Sequence, residues 1–142
     1  MNVLGRHILA EYYGCDIQIL NNLELLEHYM RKAVIESGAT IIDSTFHKFS
    51  PHGVSGVIVI AESHMALHTW PEYGYAAVDF FTCGDRVEPM KAFDYMNKKL
   101  KPENYSSKEL KRGLIETETQ KLLEVPLWLT AYELSGFYIV QN

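Results

Sequence analysis

The chain has 142 residues, 47% of them hydrophobic and 22% charged, the balance of one ordinary globular domain, 1–142, rather than of a disordered, fibrous or two-domain protein. A formal net charge of -5 supplies no basic face for phosphates, so nucleic acid is excluded as the main partner. Two cysteines, Cys15 and Cys83, are too few for a disulfide framework, and no stretch reads as a signal peptide or a bilayer span; a cytoplasmic protein is expected.

Ile8 to Tyr13 is rich in branched and aromatic residues and predicts a first strand broken at Gly14. Leu23, Leu26, Met30, Ala33 and Val34 recur at helical spacing between Asn21-Asn22, a good N-cap, and Gly38, a good C-cap. Ala39 to Phe49 returns to strand character, Ser50 to Gly53 is a turn, and Val54 to Ile60 is the near-continuous branched run of a well-covered central strand. His64 to Trp70 is its expected hairpin partner. Pro71 to Gly74 turns the chain into a strand over Tyr75 to Thr82, which ends at Cys83-Gly84-Asp85.

Glu88-Pro89 opens a second helix, with proline where the first turn tolerates it, and Met90, Phe93, Met96 and Leu100 are assigned to one face. From Pro102 to Lys108 the chain is polar and reads as loop, with at most a short strand before Gly113. The tail 113–142 is notably apolar in Leu122 to Leu129 and Leu134 to Val140, which predicts packing on its own domain or a neighbour.

This order of elements predicts an α+β fold, a two-layer sandwich of one antiparallel sheet with two main helices on one face. The other face then needs cover, and a homodimer stacking sheet on sheet provides it in an α/β/β/α arrangement.

Four short motifs stand in series: Gly53-Val54-Ser55-Gly56, Glu62-Ser63-His64, His68-Thr69-Trp70-Pro71-Glu72-Tyr73-Gly74-Tyr75 and Phe81-Thr82-Cys83-Gly84. Together they resemble the short prokaryotic S-adenosylmethionine decarboxylase proenzymes, from about Leu4 to Leu100; the tail beyond Lys101 departs from that pattern. The resemblance implies that Ser63 attacks the Glu62 carbonyl and that the resulting ester eliminates. The chain then separates into 1–62 and 63–142, with a pyruvoyl group, the cofactor, at position 63.

By the same resemblance His68 is the base of self-processing, Ser55 a helper in it, and Cys83 the proton donor of decarboxylation. The pyruvoyl group forms a Schiff base with S-adenosylmethionine and accepts the electrons left by carbon dioxide, and the product serves as aminopropyl donor for spermidine synthesis. Phe49 and Trp70 are candidates for the adenine and the sulfonium, since aromatic faces attract both, and Glu72 for the ribose hydroxyls. No metal is expected. His64 and His68 share a strand face, but the motif of a zinc helix is absent.

Duller readings compete. Glu62-Ser63 alone is a hairpin turn, His68 a core or interface histidine, Cys83 an inert thiol, Phe49 and Trp70 dimer core, and Glu72 a solvated turn residue. Rival functions are a pyruvoyl-dependent arginine or ornithine decarboxylase and an unprocessed interaction protein. Strand geometry adds one expectation. A tight hairpin pairing Ile60 with Ser63 sets Ser55 opposite His68, but His68 is about 16 Å along the strand from Ser63 and on the other face. Ser55 and His68 are therefore expected to serve Ser63 of a second protomer.

Overall fold

The computed structural model describes residues 2–115; the apolar tail segments named above lie outside them. Six strands form one sheet: β1 (Asn2–Tyr13), β2 (Ile41–Lys48), β3 (Val54–Ile60), β4 (Ser63–Trp70), β5 (Tyr75–Cys83) and β6 (Asn104–Ile115). Their spatial order is β2-β3-β4-β5-β1-β6, and every neighbouring pair is antiparallel. The expected four-strand meander is β2 to β5, and β1 runs beside β5 with β6 outside it.

Three helices accompany the sheet: α1 (Ile17–Leu20), α2 (Leu23–Glu36) and α3 (Pro89–Leu100). Asn22 caps α2, its side chain accepting from the Leu25 N–H at 3.0 Å, a contact typically worth about 1 kcal/mol. Leu26, Met30, Ala33 and Val34 of α2 and Ala92, Phe93, Met96 and Leu100 of α3 are buried. They meet Ile8, Ala10 and Tyr12 of β1, Ile58 of β3, Met65 and Leu67 of β4, and Val78 and Phe80 of β5. Because these strand residues are all of one parity on each strand, the helices cover a single face of the sheet.

Two expectations are corrected here. Met90 is 38% exposed; it lies about a quarter of a turn from the stripe through Phe93, Met96 and Leu100, and Ala92 takes the buried place. The polar segment after Pro102 is no loop but the twelve-residue edge strand β6. Of its side chains only that of Leu110 is even half-buried. Backbone pairing with β1, from Asn2 opposite Ile115 to Tyr13 opposite Asn104, defines β6, so it carries no apolar alternation to read. Charged residues on an exposed edge suit it to solvent.

On the face away from the helices, Val57 is half-buried and Val59 is 44% exposed. The branched run in β3 is thus covered on one side only within the chain. The glycines of Gly53-Val54-Ser55-Gly56 are set by geometry. Gly53 sits at φ +106° with its carbonyl 2.8 Å from the Phe49 N–H, and a Cβ on Gly56 would stand 2.2 Å from the Phe46 ring. Both fix the strand start that carries Ser55.

Candidate active site

The β3–β4 hairpin turns through Ala61 and Glu62 alone, with Ile60 opposite Ser63 and Ser55 opposite His68. Ser55 Oγ and His68 Nδ1 are 2.8 Å apart, so the sequence register places this pair correctly. Ser63 stands at the other end of β4 and does not join them. Within the chain the three residues form two groups, not one.

At the Ser63 end, the bond between Glu62 and Ser63 is held from several directions. The Glu62 carbonyl accepts from the Cys83 N–H at 2.9 Å, and its carboxylate accepts from the Thr40 N–H at 3.2 Å. Ser63 itself has φ +145°, a backbone region that favours glycine and costs a serine about 1–3 kcal/mol. Cys83 is exposed and free, at the end of β5. Thr82 Oγ1, opposite Ser63 on β5, is buried without a hydrogen-bond partner among the described residues.

The sequence reading missed the surroundings of Ser63. Its Oγ lies 3.4 Å from His64 Nδ1, although regular alternation sends neighbouring strand side chains to opposite faces; the unusual φ at Ser63 interrupts that alternation. His64 Nε2 is 3.1 Å from Asp79 Oδ2. The same carboxylate oxygen is 3.1 Å from His7 Nε2, and Arg112 donates to His7 Nδ1 at 3.0 Å. His7, Asp79 and Arg112 sit on β1, β5 and β6 in no motif, so no local sequence signal marks them. His64 and His68 share a strand face, but in the fold the polar partners of His64 are Ser63 and Asp79, and His7 meets it through the shared carboxylate. The ligand atoms of His7, His64 and Asp79 all lie within 4.8 Å of one another.

At the Ser55 end, Trp70 is 40% and Phe49 48% exposed. Trp70 is 6.4 Å from the His68 ring and 5.2 Å from Tyr75, and Phe49 makes an edge contact with His47 at 4.6 Å. Phe49 and Pro71 flank Gly53, which brings the 49–53 turn beside the 71–74 turn. There Glu72 Oε2 is 3.1 Å from His52 Nε2, a partner the sequence did not suggest. An open cleft of about 610 Å³ lined by Ile17, Asn21, Asn22, Glu24 and Lys48 holds none of these residues.

Residues 6–113 match the family model described as S-adenosylmethionine decarboxylase. The chain belongs to the S-adenosylmethionine decarboxylase family. Proteins named S-adenosylmethionine decarboxylase proenzyme are similar to it along most of both chains. The one from Thermotoga maritima is 57% identical over 113 residues, 80% of this chain and 87% of the relative. That from Clostridium tetani is 59% identical over 116 residues, 82% and 92%, and that from Thermoanaerobacter pseudethanolicus 60%, 82% and 94%. The crystal structure of the adenosylmethionine decarboxylase from Aquifex aeolicus superposes with a TM-score of 0.78 at 39% identity, over 84% of this chain and 98% of that one. The family match runs through most of β6, past the Lys101 at which a departure from the family pattern was expected. No helix among the described residues is long and apolar enough to cross a membrane.

Proposed function

We propose that this chain is a self-processing decarboxylase that converts S-adenosylmethionine to its decarboxylated form and carbon dioxide, the aminopropyl donor of spermidine synthesis. The observation that carries the reading is the Glu62-Ser63 bond, with its carbonyl on the Cys83 N–H and its serine in a strained backbone. That arrangement fits a serine destined to become a pyruvoyl group, since the carbonyl to be attacked is already polarised and breaking the bond releases strain. When formed, the group supplies an electron sink for the departing carbon dioxide.

The chain's own residues divide the remaining work. Cys83, exposed beside position 63, delivers the proton that the decarboxylated carbon needs. Ser55 and His68, hydrogen-bonded to each other, act on Ser63 of a second protomer, His68 as base in the elimination that separates 1–62 from 63–142. Trp70 and Phe49 offer aromatic faces to adenine and the sulfonium, and Glu72 offers a carboxylate to the ribose. Ser63 and the Ser55–His68 pair lie roughly 16 Å apart along β4 by strand rise. A two-fold homodimer stacked on the uncovered face unites them and buries Val57 and Val59. Relatives named for S-adenosylmethionine support that substrate over arginine or ornithine.

The test is reductive trapping. The purified protein, incubated with S-adenosylmethionine and cyanoborohydride, is expected to carry a substrate-derived mass on the 63–142 fragment. An adduct formed instead with arginine or ornithine would overturn the substrate, and a chain that stays whole would overturn the enzyme.

A further inference from the structure

Resting on that self-processing reading, we infer that His64, aligned by Asp79, is the base that launches Ser63 onto the Glu62 carbonyl, in the same protomer, and that this step is separate from the one served by His68. The hydrogen bonds select the tautomers of the neutral rings. Asp79 Oδ2 meets both His64 Nε2 and His7 Nε2 at 3.1 Å, and a carboxylate only accepts, so both Nε2 atoms carry hydrogen. In the neutral imidazole, the form a base requires, each Nδ1 is then a bare lone pair. That of His7 receives the Arg112 guanidinium at 3.0 Å. That of His64 faces Ser63 Oγ at 3.4 Å.

Serine, imidazole and carboxylate thus stand in line, the imidazole oriented by the carboxylate and the carboxylate held by His7. The 3.4 Å separation is long for a hydrogen bond, as resting proton-transfer contacts often are before the nucleophile moves. The same geometry argues against a metal shared by His7, His64 and Asp79. Metal on His7 Nε2 would leave hydrogen on its Nδ1, facing the Arg112 donor.

The step balances without a co-reactant. The Ser63 hydroxyl proton passes to His64 Nδ1 as the Oγ–carbon bond forms, and the Cys83 N–H steadies the negative Glu62 oxygen. Collapse breaks the carbon–nitrogen bond between Glu62 and Ser63, and His64 returns the proton to the departing nitrogen. A peptide bond has become an ester.

Hydroxylamine, which cleaves esters and spares peptides, separates the two histidines. With His68→Gln, the ester should form and accumulate, so uncleaved chain splits at position 62 on adding hydroxylamine. With His64→Gln, the rate of self-cleavage should fall about a hundredfold, and the whole chain should resist hydroxylamine. Asp79→Asn should slow ester formation at least tenfold, with Asp79→Glu regaining part of it, a rescue that a merely structural carboxylate would not give. Far-UV circular dichroism checks each fold, and Asp79→Asn decides if His64→Gln does not fold. Ester in His64→Gln at the level of His68→Gln overturns the inference, as does wild-type speed in Asp79→Asn. Wild-type chain that never cleaves indicts the self-processing reading instead.

Discussion

Ser63 and Lys101 are the non-glycine residues with positive φ among those described, and only Ser63 lies beside a candidate bond to be broken. If the serine is held against its backbone preference, the side chain and not the fold demands the residue. Two uncleavable variants isolate the strain: Ser63→Gly relieves about 1–3 kcal/mol of it, less the 0.5–1 kcal/mol or so of freedom that glycine loses on folding. Ser63→Gly should therefore be more stable than Ser63→Ala by about 1 kcal/mol, near 3 °C in melting temperature; equal melting would show that φ +145° carries no cost. At this scale legibility followed locality. The Ser55–His68 pair could be read because a two-residue turn fixes the hairpin register. The Ser63–His64 contact could not, because it depends on a local break in alternation, and His7, Asp79 and Arg112 reach it from three distant strands.

The elements with a hydrophobic period were the readable ones. α2, with its Asn22 cap, and the branched run of β3 stand where their patterns put them, and Met90 strayed because a face assignment at a helix start tolerates a quarter-turn error. β6 escaped because its pairing uses backbone groups that every sequence possesses. Side chains also fasten it to β1: besides the Arg112–His7 contact, Arg6 Nε and Nη2 donate to the two Glu109 carboxylate oxygens at 2.7 and 3.0 Å. That hydrogen bond holds Glu109 below its ordinary carboxylate range against the opposing effect of burial, with the guanidinium charge a lesser contribution. A folded-state value below the unfolded one means that the tie stabilises above the ordinary carboxylate range and is lost as pH falls through the folded value. Both side chains are more than a third exposed, so solvent screens the pair. Glu109→Gln should cost less than about 1 kcal/mol at neutral pH, and urea melts of the two proteins should converge in acid. A gap that widened toward low pH would reverse the sign of the argument.

At the scale of the whole molecule, the sheet has one face under helices and one face bearing the candidate residues: His7, His64 and Asp79 toward one end, His68 and Trp70 toward the other. Under the proposed dimer, antiparallel stacking of two such faces about a two-fold axis would set the Ser63 end of each protomer against the Ser55–His68 end of its partner. Self-processing would then divide between protomers, ester formation by His64 within the chain and elimination by His68 from its neighbour. Differently tagged chains test this. A His68→Gln chain should remain uncleaved alone, and a Ser63→Ala chain can never be cleaved. Mixed dimers of the two contain one complete set, the Ser63 and His64 of the first chain facing the Ser55 and His68 of the second. In those dimers the His68→Gln chain, and only that chain, should split into 1–62 and 63–142, up to one cleavage per dimer. If affinity-purified mixed dimers leave the His68→Gln chain intact, His68 acts within its own chain, and the separation of the two groups along β4 must close by a movement of the hairpin instead.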